Sequence, residues 1–193
     1  MPLVPQGYIS VDVETAGPTP ASYALLSLGA CSIDDPERSF YAELQPTTRE
    51  AVPAALAVSG LSLDQLAASG LPPAEAMERF AAWVEEVAGA RRPVFVAFNA
   101  PFDWMFVAEY FHRFGVPNPF GHSALDLKSL YMGAVGGPWS GTSFAAVAAR
   151  FGLPAELSHH ALEDARIQAE VFRRLTAGLE ARGSLTPLEE EPT

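Results

Sequence analysis

Two carboxylates near the start of the chain, Asp12 and Glu14, are separated by one residue in the segment GYISVDVET, residues 7–15. Apolar and polar residues alternate along this segment, which predicts a β-strand with both acids on one face, about 7 Å apart along the strand. Two such charges repel each other unless a cation lies between them, and Mg²⁺ and Mn²⁺ prefer oxygen ligands. For the pair alone, a polar strand face in water is the alternative explanation.

Two further acids follow at distant positions in the chain. Asp103 lies in NAPFD, directly after the apolar segment 93–98, and Asp164 lies in SHHALEDA, residues 158–165. Active sites of open α/β sheets gather at the carboxyl ends of strands, and the pattern puts Asp103 near such an end. Each acid also has a simpler explanation, because acids are favoured in the first turn of a helix and are common on solvated helix faces.

The segment SHHALEDA also contains two adjacent histidines, His159 and His160. His160 and Asp164 are four residues apart, which would place them on one face of a helix, whereas His159 is five residues from the acid. A positioned histidine can take a proton near neutral pH and so act as a general base. A helix cap and a surface residue are the alternative explanation of this pair.

Periodicity and turn residues predict the elements that must hold these side chains. Strands are predicted at 7–15, 24–33, 38–44, 93–98 and 122–127. Helices are predicted to begin at Ser62 and after Pro72–Pro73, and to cover about 99–115, 142–151 and 160–177. A hairpin at 34–37 joins the second and third predicted strands. Three antiparallel strands followed by strand–helix alternation predict an α/β fold with a mixed sheet.

The bulk composition limits the classes of protein to consider. The chain has 193 residues, 49% of them hydrophobic, which is enough for one domain with a substantial core. A net charge of −11 argues against a protein that binds long nucleic-acid duplexes through many phosphate contacts, but it allows a short nucleic-acid end to bind in a pocket. One cysteine, Cys31, excludes an internal disulfide. We see neither a signal peptide nor an apolar run of membrane-spanning length, and we expect a cytoplasmic protein with no membrane partner.

Taken together, the motifs DVET, NAPFD and HHALEDA resemble the three exonuclease motifs of the DEDDh family, in the same order. The family pattern is D-x-E, then N-x-x-F-D or close to it, then H-x-x-x-x-D, and the flanking segments VDVETAG and FVAFNAPFD look most like ribonuclease T and bacterial proofreading subunits. The resemblance covers residues 7 to 177. It implies a ribonuclease H-like fold, with about five strands flanked by helices, and a 3′→5′ exonuclease that uses two ions of Mg²⁺ or Mn²⁺.

The resemblance also implies roles for single residues. Asp12 would bridge the two ions, Glu14 and Asp164 would complete the site of the ion that carries the attacking water, and Asp103 would support the second ion directly or through water. The five-residue spacing of the third motif selects His159 as the base. A residue in the loop before a helix can also turn toward a site, whereas one in the first turn is fixed to a face.

Other positions are matched less closely. We expect Thr15, the last residue of DVET, and Asn99, the first residue of NAPFD, to bind substrate. Ser59 stands where relatives often have a histidine that contacts the substrate end, so that contact is an open question. Asp126 matches an acid often found in the family, and we interpret it as structural. Lys128 is either a phosphate contact or a solvated side chain.

We therefore expect one exonuclease domain over residues 1–180 and an acidic, disordered tail over 181–193. Its expected partners are single-stranded DNA or RNA 3′ ends, and a homodimer is expected from related free-standing members. Two alternatives stay open. One is a metal-dependent phosphoesterase acting on nucleotides, and the other is an inactive binding domain with the exonuclease fold.

Overall fold

A computed structural model describes residues 4–181 and residue 183 of the chain. Its single described sheet has the strand order β3-β2-β1-β4-β5. Strands β1, β2 and β3 pair antiparallel, whereas β4 and β5 continue the sheet in parallel with β1. This is the predicted mixed sheet, and the strands are β1 (Gln6–Thr15), β2 (Leu25–Ser32), β3 (Ser39–Glu43), β4 (Arg92–Ala97) and β5 (Ala124–Asp126).

Seven helices flank the sheet within the described residues. Five of them correspond to the predicted helices, and the buried face of the third is the predicted one, formed by Met77, Phe80, Val84 and Val87. The helices are α1 (Pro53–Ser59), α2 (Leu63–Ser69), α3 (Pro73–Ala88), α4 (Ala100–Arg113), α5 (Leu127–Val135), α6 (Phe144–Phe151) and α7 (Ala161–Ala181).

Two helices, α1 and α5, were not predicted from the sequence. Helix α1 has no buried residue and no side-chain cap, so it carries no apolar periodicity that a sequence pattern could detect. Helix α5 follows β5 directly, with Asp126 accepting a hydrogen bond from the Ser129 amide as its N-cap. A strand that turns into a helix without a loop leaves no break in the sequence pattern.

The two faces of the sheet carry different helices. On one face, Ile9, Val11 and Val13 join the core cluster that includes Met77 of α3 and Phe106 of α4. On the other face, Val96 packs in a separate cluster with residues of α5, α6 and α7. Asp12 belongs to the second face by the alternation of the strand, so it faces α7.

Gly29 allows α7 to approach the sheet closely beside Asp12. It pairs with Asp12 across β1 and β2, and a Cβ at this position would lie 2.2 Å from the backbone nitrogen of Leu162. Only a residue without a side chain fits there. The first turn of α7 therefore lies against β2, directly beside the strand that carries Asp12 and Glu14.

Only part of the predicted C-terminal region lies within the described residues. Helix α7 runs to Ala181, four residues beyond its predicted end. Apart from Ala181 and Gly183, the predicted acidic tail lies outside the described residues. Among the described helices, none combines the length and hydropathy required to cross a bilayer.

Candidate active site

Three side chains from distant parts of the chain converge at the end of β1. Glu14, His159 and Asp164 each offer a ligand atom, and these atoms all lie within 4.8 Å of one another. Glu14 is half-buried, Asp164 is buried and His159 is exposed, so the group opens to solvent on the histidine side. Strand β1 supplies Glu14, helix α7 supplies Asp164, and the loop directly before α7 supplies His159.

Asp103 contacts the same end of β1 from helix α4, which packs on the face of the sheet opposite α7. It lies in the first turn of α4, is 4% exposed, and accepts a hydrogen bond of 3.1 Å from the backbone amide of Val13. Val13 stands between Asp12 and Glu14, so this bond fixes the second motif directly against the first. The turn before α4 depends on Asn99, whose φ of 68° is a left-handed conformation that asparagine tolerates well.

Asp164 organises the loop that carries the two histidines. Its Oδ1 accepts hydrogen bonds from the amide and the hydroxyl of Ser158, at 2.8 and 2.9 Å, and its Oδ2 accepts one of 2.9 Å from the amide of His159. His159 is held in a left-handed conformation with φ 56°. This turn directs the His159 ring toward Glu14 and Asp164.

His160 points elsewhere, although its spacing from Asp164 is helical. Its ring stacks on the ring of Tyr41 in β3, with centroids 4.5 Å apart and an angle of 18° between the planes. The structure therefore places His159, and not His160, beside the acids.

Gln168 belongs to the site and was missed in the sequence. It is 1% exposed, its Nε2 donates a hydrogen bond of 2.6 Å to Asp12 Oδ1, and its Oε1 accepts one of 2.8 Å from the amide of Phe98. Because the Phe98 amide fixes which end of the side-chain amide is the acceptor, the NH₂ group must face Asp12. Its position one helical turn after Asp164 was the available signal.

Three carboxyl groups of the site, those of Asp12, Glu14 and Asp103, have a raised pKa. Burial raises the pKa of Asp12 well above its ordinary value, and the charges of Asp103, Asp164 and Glu14 raise it further, against a lowering by Gln168. Burial, followed by the charge of Asp164, raises the pKa of Glu14 to about 7. Burial also raises the pKa of Asp103.

These four acids fit a divalent metal site. None of them forms an ion pair with an arginine or lysine in the part of the chain that the structure describes. Their mutual repulsion is therefore not balanced by the protein itself, and oxygen-rich donors suit Mg²⁺ or Mn²⁺.

The remaining predicted positions have defined surroundings. Thr15 is buried, and its hydroxyl donates to the Gly17 carbonyl at 2.9 Å, while Asn99 is exposed beside the site. The Ser59 hydroxyl donates to the Ala55 carbonyl within α1. Asp126 accepts hydrogen bonds from the Ala100 and Ser129 amides, which agrees with a structural role that ties β5 to α4.

The raised pKa of Glu14 predicts how the stability of the metal-free protein depends on pH. Its pKa is about 7 in the folded chain against an ordinary 4.5, so the folded state holds a proton that the unfolded chain releases between these values. Stability should therefore fall as pH rises through this window. We expect a higher melting temperature near pH 5 than near pH 8 in chelator. Glu14→Gln should flatten this difference, and an unchanged pH dependence in that variant would contradict the assignment.

Comparison with known proteins agrees with this geometry. Residues 9–172 match the model of the exonuclease family of the RNase T type. The 3′-5′ DNA exonuclease Cap18 of Escherichia coli is 44% identical over 167 residues, which cover 86% of this chain and 89% of that protein.

Two solved structures show the same fold at low sequence identity. The nuclease domain of 3′hExo bound to rAMP, a DEDDh family member, superposes with a TM-score of 0.73 at 12% identity, over 96% of this chain and 97% of its own. Escherichia coli exonuclease I in complex with a dT13 oligonucleotide has a TM-score of 0.71 at 16% identity, over 92% of this chain and 42% of its own. The predicted ribonuclease H-like fold is thereby confirmed. The chain belongs to the exonuclease family whose model covers these three motifs.

Proposed function

We propose that the protein is a 3′→5′ exonuclease that releases nucleoside monophosphates from single-stranded DNA ends. The observation that carries this proposal is the convergence of Glu14, Asp164 and His159 at the end of β1. Acids alone could serve many metal sites, but a histidine placed at their open side adds a group able to take a proton from water.

The metal ligands we propose are Asp12, Glu14, Asp103 and Asp164, holding two ions of Mg²⁺ or Mn²⁺. When bound, such a pair of cations stabilises the charge that develops on the attacking and leaving oxygens of a phosphodiester. The buried setting of Asp103 and Asp164 strengthens electrostatic interactions at the site, because little water is present to screen them.

The other side chains bind, orient or move a proton. His159 accepts the proton of the attacking water at a ring nitrogen, and Asp164 holds the backbone of His159 in the required turn. Gln168 fixes the orientation of the Asp12 carboxylate. Asn99 lies exposed at the start of α4, where it can contact the terminal nucleotide, and Thr15 shapes the turn after β1 beside it.

The relative at 44% identity supports DNA as the substrate. The Escherichia coli relative is a DNA exonuclease, and exonuclease I was solved with a single-stranded oligothymidylate. The 3′hExo structure contains a ribonucleotide, so RNA ends are the comparison that the test must include. We also propose a cytoplasmic location, supported by a single cysteine that is buried and unpaired. A homodimer stays a prediction.

A substrate panel tests the proposal. The chain is incubated with 5′-labelled single-stranded DNA, blunt duplex DNA, RNA, a dinucleotide and a nucleoside monophosphate, with Mn²⁺ or with EDTA. We expect ladders that shorten from the 3′ end of single strands, slower digestion of the duplex because its end must unpair, and no reaction in EDTA. Release of phosphate from the monophosphate alone would favour a phosphoesterase, and no turnover of any substrate would favour a binding domain.

A further inference from the structure

Trp139 is unusual among the aromatic residues of this protein. It is 54% exposed, and the other aromatic side chains of the described chain are buried or half-buried. It begins the short 3-10 turn Trp139–Gly141 between α5 and α6. Its carbonyl accepts hydrogen bonds from the amide and the hydroxyl of Thr142, at 3.0 and 2.8 Å, and Thr142 is 1% exposed. The turn is therefore anchored in the protein while the indole projects into solvent.

A cation without an acidic partner lies against this indole. Lys128 is the only lysine in the sequence, and its Nζ lies 4.4 Å from the centroid of the Trp139 ring. Eight arginines of the described chain form ion pairs with acids, whereas Lys128 forms none there. On a chain with a net charge of −11, an ammonium left without a carboxylate is available for an anion from outside.

Two sets of contacts tie this pair to the acidic site. Lys128 lies two residues after Asp126, whose Oδ1 accepts the amide of Ala100 at the start of α4. On the other side, Phe144 begins α6, shortly after the turn, and its ring contacts that of Phe98 at 5.2 Å.

The Phe98 amide in turn binds Gln168, which binds Asp12. Lys128 therefore follows the carboxyl end of β5, which lies at the same end of the parallel strands as the acids after β1, and a series of side-chain contacts links the two groups.

We propose that Trp139 and Lys128 form a second contact for the nucleic-acid strand, upstream of its 3′-terminal nucleotide. One face of the indole is covered by the ammonium, and the other can stack on a base, while the same ammonium neutralises a neighbouring phosphate. Stacking on an aromatic side chain beside a positive charge is how single strands bind without sequence preference. This inference rests on the proposed exonuclease function, because it assigns the path of that substrate.

The test compares a ten-nucleotide oligothymidylate with a dinucleotide, which ends before the proposed contact. For Trp139→Ala we expect KM on the longer substrate to rise about tenfold, within the range for one base–aromatic stack, with kcat unchanged and no change on the dinucleotide. Trp139→Phe should keep most of the affinity. Lys128→Gln should weaken binding of the longer strand and reduce its salt slope by about 0.7, as expected for one lost phosphate contact.

Arg92→Gln is the matched control for charge. Arg92 is exposed and has no ion-pair partner in the described chain. It begins β4, so it lies at the end of the strand opposite to the one near the acids. Its removal should leave the salt slope and the length dependence unchanged. Binding of the 5′-labelled ten-nucleotide strand is also measured by anisotropy in EDTA, so that affinity is read without turnover.

Three results would overturn the inference. Equal affinity of wild type and Trp139→Ala for the long strand would show that Trp139 does not contact a base. An Arg92→Gln effect as large as that of Lys128→Gln would show that the Lys128 effect reflects only the overall charge of the protein. Dissociation of a dimer by Trp139→Ala, seen by sedimentation, would make this surface a protein interface. Failure of wild type to digest any strand, with binding still dependent on Trp139, would refute the proposed activity and leave the strand contact standing.

Discussion

Asp12→Asn should abolish exonuclease turnover while the protein remains folded. Asp12 lies among three other carboxylates, and no arginine or lysine pairs with it in the described residues. Removing its charge takes away one of the four carboxylates that would hold the metal ions. Because metal ions stabilise the transition state of such a reaction by several kcal/mol, we expect the rate to fall by roughly 10³-fold or more. The measurement is release of mononucleotides from single-stranded DNA at saturating Mn²⁺.

Metal binding and stability distinguish this loss from unfolding. Calorimetric titration with Mn²⁺ should show weaker binding, and the metal-free variant should melt at a higher temperature than wild type, because one of the repelling charges is gone. Glu163→Gln is the control, since Glu163 is an acid next to Asp164 that pairs with Arg166 on the surface of α7. An Asp12→Asn variant with near wild-type turnover would end the proposed metal role.

Replacing His159 should lower the rate by about 10²–10⁴-fold, which is the usual effect of removing a positioned general base. His159→Asn is the better variant, because asparagine tolerates the left-handed conformation that this residue adopts, whereas alanine adds strain there. Mn²⁺ affinity should stay close to that of wild type. A large loss of Mn²⁺ affinity would instead make His159 a ligand, which its position beside Glu14 and Asp164 also permits geometrically.

His160→Asn is the control for the neighbouring position. Its ring stacks on Tyr41 and does not face the acids, so we expect a small change in rate and a modest change in stability. The two variants differ by one position in the same loop, and each is measured for turnover, metal binding and melting temperature. If His160→Asn proved the more damaging to turnover, the assignment of the base to His159 would be wrong.

The sequence by itself determined the elements and the set of acids. Alternation along β1 put Asp12 and Glu14 on one face, and the apolar run before NAPFD put Asp103 at the end of a buried strand, as the structure has it. These features depend only on residues a few positions away in the chain, so the local pattern of apolar and polar residues is enough to predict them. The helices that it missed, α1 and α5, lack such a local signal, since one buries nothing and the other follows a strand without a break.

Only the tertiary structure decided which side chains face the acids. Helical spacing alone favours His160, whereas the resemblance selected His159. The structure supplies the physical reason, because the carboxylate of Asp164 accepts hydrogen bonds from the amides of Ser158 and His159 and so turns the loop until His159 lies beside Glu14. The bond from Gln168 to Asp12 joins residues 156 positions apart, and it exists because Gly29 lets α7 lie against β2. Such contacts depend on how closely two elements approach each other, and that distance is set by packing across the sheet rather than by any neighbour in the sequence.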